Sequence, residues 1–265
     1  MEIKLLGLIG GEGVASHSLS PKMWNHVLKK KGIEAVYLPF EVERENLKKA
    51  IEGARALNIL AANVTVPHKV EAISLLDDIS DNARAAGAVN TIINLSAKLI
   101  GENTDVLAAK ALVGKLARNK KILILGAGGA ARAVLAALGN AKEIVIANRS
   151  LEHAEKLIQL HNKARAIGWK SIALEIADSQ IIINCTPIGM LTPGTPVNQK
   201  LIRKDMLVVD FAYKQTRDTE LIAIAKSKGC KTIDGKKLLA MQAAEAFRLV
   251  FNRKISVKNF EEGLK

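Results

Sequence analysis

The sequence predicts an α/β fold in two parts, an N-terminal α/β domain followed by a doubly wound one. Three observations carry that reading. Short apolar runs alternate with helical patterns along the whole chain. Hydrophobic residues make up 49% of the 265 and aromatics only 3%, a balance that suits helices packed on a parallel sheet better than an aromatic-rich sandwich. The alternation becomes most regular over 105–236, where strands and helices succeed one another in the βαβ rhythm.

Element by element, a strand is expected near Ile3–Ile9. A helix follows, with Ser20 as its cap and Pro21 in its first turn. Next come a strand at Val36–Phe40, an amphipathic helix over Glu43–Leu57 and a strand at Ala61–Val66. Ala88–Leu95 and Lys98–Asn103 read as a hairpin turning at Ser96-Ala97. A helix over Thr104–Leu116 leads to a polar break, 118–121, and then to the continuous apolar run Ile122–Leu125, as expected of a strand covered on both faces. Helix Ala130–Leu138, strand Ile144–Ala147 and helix Leu151–Leu160 come next. Strands Ile181–Asn184, Leu207–Asp210 and Lys231–Ile233 follow, and a long helix spans Lys237–Phe251. The expected domains are 1–104, with 237–265 packing back on it, and 105–236.

The formal net charge is +13. The basic residues are scattered in short groups such as Lys29-Lys30-Lys31 and Lys120-Lys121, with acids between them, so solvated helix faces explain them better than a nucleic-acid partner. A positive field also attracts anionic cofactors and substrates. Cys185 and Cys230 stand far apart and outside any zinc spacing, so no metal site is expected. The first apolar run is too short for a signal peptide, and no segment reaches a membrane span. A soluble cytoplasmic protein is the expectation.

The sharpest local signal is Gly126-Ala127-Gly128-Gly129-Ala130-Ala131, directly after an apolar strand and opening a helix. Gly126 permits the tight turn, Gly128 lets the backbone approach a pyrophosphate, and small Ala131 allows close helix–strand packing. A glycine triplet alone is weak evidence, but strand before and helix after satisfy the context it requires. The reading is a Rossmann-type dinucleotide site. NAD binders place an acid at the end of the next strand. This chain has Asn148-Arg149-Ser150 there, a planar cation flanked by hydrogen-bonding groups, which suits the 2′-phosphate of NADP.

The N-terminal half carries polar clusters at the ends of apolar runs: SLSP at 18–21, NVTVPHK at 63–69, GAVNT at 87–91 and NTD at 103–105. Alternation in NVTV sets Asn63 and Thr65 on one face and the valines on the other, and leaves Lys69 just past the strand end. Singly, such a lysine reads as a solvated surface group.

Together with GAGGAAR, NRS, NCTPIGM and a late DG…Q…AF, these motifs resemble the shikimate dehydrogenase family over essentially the whole chain. The resemblance implies that Lys69 and Asp105 form the catalytic pair. It implies that Ser18 and Ser20, assisted by Tyr213, bind the substrate carboxylate, and that Thr65, Asn90 and Gln242 hold ring hydroxyls. Gly126, Ala127, Gly128, Gly129 and Ala130 would cradle the pyrophosphate, and Asn148, Arg149 and Ser150 would take the adenosine phosphate. Thr186, Phe211 and Gly235 would lie along the ribose and nicotinamide. Asp81 matches a position near the nicotinamide end, and His153 stands where a second base supports the adenosine phosphate. The implied reaction is reversible reduction of 3-dehydroshikimate to shikimate with NADP, in the pathway to aromatic amino acids, with no metal, and a homodimer is compatible with it.

Departures from the family pattern are Val106 where a glycine usually follows Asp105, the missing proline after Tyr213, the first loop, 9–17, without its usual proline, and His153 at the position of the second basic residue, changes that bear on loop geometry and on NADP preference. None removes a proposed catalytic group. Quinate or dual quinate/shikimate dehydrogenation is the alternative within enzymes. A non-catalytic NADP-binding protein is the alternative outside them, and it predicts loss of the Lys/Asp pair that this chain retains.

Overall fold

The computed structural model describes residues 3–265. The chain divides into two compact units, Met1–Leu107 with Leu239–Lys265, and Ala108–Leu238.

The first unit is built from β1 (Lys4–Gly10), α1 (Val14–His17), α2 (Ser20–Lys30), β2 (Ala35–Glu41), α3 (Leu47–Ala56), β3 (Ala61–Val64), β4 (Asp78–Ile79), α4 (Asp81–Ala86), β5 (Thr91–Leu95) and β6 (Lys98–Glu102). Its mixed sheet has the order β2-β1-β3-β5-β6-β4. β1 lies parallel to β2 and β3, whereas β3, β5 and β6 run antiparallel. The hairpin between β5 and β6 turns at Ser96 and Ala97, both left-handed (φ 53° and 70°), the geometry that matches the twist of paired strands. Ile9, Leu47, Ile51, Val64, Ile92 and Leu99 form a core on this sheet.

The C-terminal segment belongs to this unit for a physical reason. Trp24 stacks on Tyr37 with ring centroids 5.2 Å apart, and Phe247 and Phe260 close around it at 6.1 and 5.3 Å. Four of the chain's few aromatic rings are thus buried in one cluster, where their large apolar areas contribute most.

Several local expectations need correction. Ser20 does not cap α2. It is the first helical residue, Leu19 holds the cap position, and the Ser20 N–H donates to Ser18 Oγ at 3.2 Å, so Ser18 supplies the oxygen. The pattern over Glu43–Leu57 opens as a 3-10 turn, Arg44–Asn46, before α3. β3 stops at Val64, and the chain enters a turn from residue 66. Val66 is therefore 70% exposed and does not share the buried face of Val64. The helix from Thr104 is α-helical only to Ala109 (α5) and continues as a π-helix, Lys110–Gly114.

The second unit contains β7 (Lys121–Leu125), α6 (Gly129–Ala137), β8 (Glu143–Asn148), α7 (Leu151–Ile158), β9 (Ala164–Gly168), α8 (Ile172–Asp178), β10 (Ile181–Asn184), β11 (Leu207–Asp210), α9 (Glu220–Ser227) and β12 (Lys231–Ile233). All six strands are parallel, in the order β12-β11-β10-β7-β8-β9, the doubly wound arrangement of dinucleotide-binding folds. Residues of β7 alternate between two cores: Ile122 and Ile124 pack with α6 and α7, Leu123 and Leu125 with α8. That double burial explains the uninterrupted apolar runs. Strand order reverses between β7 and β10, and ligands of such sheets bind at the C-terminal ends of strands at that switch point. α10 (Gly235–Phe251) and α11 (Val257–Glu262) complete the chain.

Candidate active site

In the first unit the chain brings an ammonium and a carboxylate together from two distant segments. Lys69 lies in the turn after β3, ahead of a 3-10 helix at Glu71–Leu75. Its carbonyl accepts the Val89 N–H at 2.7 Å, which ties the turn to the approach of β5. His68 beneath it is fully buried, its Nε2 2.7 Å from the Val42 carbonyl oxygen. Asp105 stands in the first turn of α5, where a carboxylate also complements the helix dipole. Lys69 Nζ donates to Asp105 Oδ2 at 2.6 Å, and the two side chains are only 15% and 14% exposed. A charge-assisted bond this short, shielded from most water, holds the ammonium in one place while leaving its other protons to donate.

A buried polar wall supports the pair. Asn90, 3% exposed, accepts the Thr104 N–H at 2.8 Å and donates from Nδ2 to Thr104 Oγ1 at 3.0 Å. Thr104 Oγ1 also lies 3.2 Å from Gln242 Oε1, so the sequence-distant Asn90 and Gln242 meet at one hydroxyl. Asn63 extends the wall: it donates to Thr91 Oγ1 at 3.0 Å and accepts the Tyr37 hydroxyl at 2.8 Å. Thr65 is partly buried, its N–H bonded to Ile9 O at 2.9 Å. Ser18 is partly buried and Ser20 buried, on either side of the start of α2. Asp81 is exposed in the first turn of α4, next to the capping Ser80.

The second unit carries the glycine turn. Gly126 follows β7 with φ 99°, a conformation L side chains rarely adopt. A Cβ there would also lie 3.1 Å from both Cys185 O and Thr186 Cγ2, so the loop after β10 sits directly against this turn. Gly128 holds the cap position of α6 and has no side chain to offer the helix amides; a Cβ added to it would meet nothing within 4 Å. This is open space in front of unsatisfied N–H groups, which fits a pyrophosphate. Ala127, Gly129 and Ala130 are half-buried around it. Arg132, one turn into α6, is also partly buried, and burial lowers its pKa. At the end of β8, the Asn148 amide donates to Ser150 O at 2.9 Å and shapes the turn from which Arg149 projects, exposed. His153 is exposed in the first turn of α7.

Thr186, Phe211 and Gly235 come from three segments that converge after β10, after β11 and at the start of α10. Gly235 is held by sterics: a Cβ would fall 2.5 Å from Ala212 O and 2.8 Å from Phe211 O, both backbone atoms. Gly235→Ala is expected to cost about 1–3 kcal/mol through this overlap, read as a lower Tm, and to raise KM for the dinucleotide. An unchanged Tm and KM would mean that the close approach does not exist. Tyr213 is half-buried on the segment after β11.

One group at this end escaped sequence reasoning. Asp210, the last residue of β11, is fully buried, and burial pushes its carboxyl up to about 6 although three hydrogen bonds pull it down. It accepts Asn184 Nδ2 at 2.8 Å, Ala212 N at 2.9 Å and Thr219 Oγ1 at 2.5 Å. The available signal was a lone acid closing an otherwise apolar strand. Among the described residues no helix is long and apolar enough to cross a membrane.

Comparison with known proteins gives consistent matches. Residues 9–92 match the family model of the shikimate dehydrogenase substrate binding domain, and residues 107–225 match that of shikimate / quinate 5-dehydrogenase. The chain is 40% identical over 250 residues to the shikimate dehydrogenase (NADP(+)) of Thermococcus kodakarensis, covering 94% of this chain and 91% of that protein. Among solved structures, the shikimate dehydrogenase of Aquifex aeolicus superposes with a TM-score of 0.89 at 38% identity, over 99% of this chain and 98% of that one. A shikimate dehydrogenase crystallised with NADP+ superposes with a TM-score of 0.88, also at 38% identity, over 99% and 94%.

Proposed function

The chain belongs to the shikimate dehydrogenase family, and from that membership we propose that it reduces 3-dehydroshikimate to shikimate, reversibly and with NADP, in the pathway to aromatic amino acids. The observation that carries the reading is the Lys69–Asp105 pair, 2.6 Å apart and mostly withdrawn from water.

Gly126, Ala127, Gly128, Gly129 and Ala130 would hold the pyrophosphate, for which the uncapped start of α6 and the open space at Gly128 are suited. Asn148, Arg149, Ser150 and His153 would receive the adenosine phosphate, and Thr186, Phe211 and Gly235, with Asp81, the nicotinamide end. When bound, NADPH supplies the hydride that the carbonyl carbon of the substrate accepts. Lys69 Nζ gives a proton to the carbonyl oxygen as negative charge develops there, and is left as a neutral amine until it regains a proton from water. In the reverse direction the amine removes the hydroxyl proton. Asp105 keeps Nζ in position through its short bond. Ser18 and Ser20, with Tyr213, would hold the substrate carboxylate; Thr65, Gln242 and the second N–H of the Asn90 amide would meet ring hydroxyls. The substrate-binding part would run over 1–104 with 237–265, and the NADP-binding part over 105–236.

We assign the reaction to the cytoplasm, in keeping with a sequence that holds two cysteines in neither a disulfide-framework nor a zinc spacing. Absorbance of the reduced nicotinamide tests the whole reading. Shikimate is expected to drive NADP reduction, with quinate in its place or NAD in place of NADP giving a much lower kcat/KM. Folded protein that reduces no NADP with shikimate would overturn the assignment, and a preference for quinate would move it to the alternative substrate. Gel filtration decides between monomer and homodimer.

A further inference from the structure

Asp210 has no part in the chemistry just described, yet it is a fully buried carboxylate. Ionised groups in such surroundings are costly, and apolar replacements of similar size are often neutral or stabilising, so the group calls for a role beyond packing. Its three donors lie on three different segments. Asn184 closes β10, Ala212 is the second residue of the loop after β11, and Thr219 caps α9, accepting the Ile222 N–H on its own hydroxyl. Only a group with acceptors and no donors can receive all three at once, which a carboxylate does and an amide does not.

Asn184 passes the constraint on. Its Oδ1 accepts both the N–H of Thr186 (3.0 Å) and the hydroxyl of Thr186 (2.6 Å), and its Nδ2 reaches Ile188 O at 3.1 Å as well as Asp210. Thr186 in turn abuts the Gly126 turn, and the carbonyls of Phe211 and Ala212 press on Gly235. The loops after β10 and β11 are therefore both moored to one carboxylate, at the switch point of the sheet.

We propose that Asp210 is a positioning residue for cofactor binding: its three hydrogen bonds hold these two loops in the conformation that receives the nicotinamide end of NADP. The inference rests on the NADP reading above and goes beyond it by assigning the affinity in part to a buried group that touches no ligand.

Isothermal titration of NADP into the purified protein tests it, alongside KM values for NADP and shikimate and a thermal melt. Asp210→Asn puts an N–H₂ donor where the carboxylate accepted the Thr219 hydroxyl, so that hydroxyl must reverse and accept, and the variant is expected to raise the Kd for NADP about three- to tenfold, with shikimate KM changed less than about twofold. Thr219→Val deletes one donor and is expected to raise that Kd about three- to tenfold, whereas Thr219→Ser retains the hydroxyl and restores wild-type affinity. If Asp210→Asn fails to fold, the Thr219 pair decides. Folded Asp210→Asn or Thr219→Val that binds NADP like the wild type overturns the proposal, as does an equal loss for NADP and shikimate. A wild-type protein that itself binds no NADP overturns the cofactor reading as well, and is told apart because all variants then behave alike.

Discussion

Replacing Lys69 with alanine is expected to lower kcat by about 10²–10⁴ and leave KM for shikimate and NADP within a few-fold of wild type. The expectation follows from what the side chain touches. Its ammonium lies 2.6 Å from Asp105 Oδ2, and its backbone carbonyl, which the substitution retains, holds Val89. A proton donor acts on charge that develops only in the transition state, so its loss appears in kcat, while ground-state contacts to substrate persist. The deletion also leaves Asp105 without its cation, at a site 14% exposed. A modest loss of stability is therefore expected, and Lys69→Met, which keeps the apolar stem, separates that cost from catalysis. Both variants should melt cooperatively and titrate with NADP as the wild type does. Asp105→Asn is expected to fall less far than Lys69→Ala, since an amide oxygen still accepts from Nζ, though more weakly than a carboxylate. Activity near wild type in Lys69→Ala would identify another proton donor and remove the central residue of the mechanism.

Much of the fold was legible because burial wrote it into simple patterns. The doubly covered strands β7, β8, β10 and β11 appear as apolar runs, and the helices α6 and α7 as helical patterns between them. The hairpin at Ser96-Ala97 was visible because both strands bury alternate residues against the sheet. The elements that escaped notice lack such contrast. β9 is an edge strand with the sequence ARAIG, half-buried throughout, and β4 has two residues. α1, α4, α8, α9 and α11 are short, of 4, 6, 7, 8 and 6 residues, too brief for a helical period to stand out from a loop. The end of β3 was misjudged because alternation in NVTV continues past Val64, where the strand ends.

The candidate site divides along a different line. The glycine turn was readable because each of its features has a local steric cause, and the strand and helix flanking it are contiguous in sequence. Pairing of Lys69 with Asp105 is not local: 36 positions separate them, and neither spacing nor periodicity connects a turn after β3 with the first turn of α5. Only family resemblance linked them, and the fold now supplies the reason, since β5 and β6 run back between the two segments. Gln242 and Thr104 illustrate the same point over 138 positions. Asp210 lay beyond both kinds of reading. Its partners Asn184, Ala212 and Thr219 become neighbours only when β10 and β11 pair in register, Asn184 beside Asp210.

Arg149→Ala is expected to raise KM for NADP by about 10- to 100-fold and to change kcat/KM with NAD by less than about twofold, so that cofactor preference narrows or inverts. Arg149 is exposed, one residue beyond the last position of β8, on a turn held by the Asn148–Ser150 hydrogen bond rather than by the guanidinium itself. Its removal should therefore leave the turn intact and the melting temperature unchanged. What disappears is a planar cation able to bond a phosphate through two N–H groups, a geometry that lysine does not reproduce, so Arg149→Lys should fall between wild type and alanine. A weaker, general explanation must be excluded, since a chain of net charge +13 attracts any anion. That field acts over a Debye length and fades with salt, and removing one charge from it would weaken NADP, NAD and shikimate together. A direct contact weakens NADP alone and does so at moderate salt as well. Equal losses with NADP and NAD would show that position 149 shapes the turn instead of meeting the 2′-phosphate, and the preference for NADP would then have to come from elsewhere on the loop after β8.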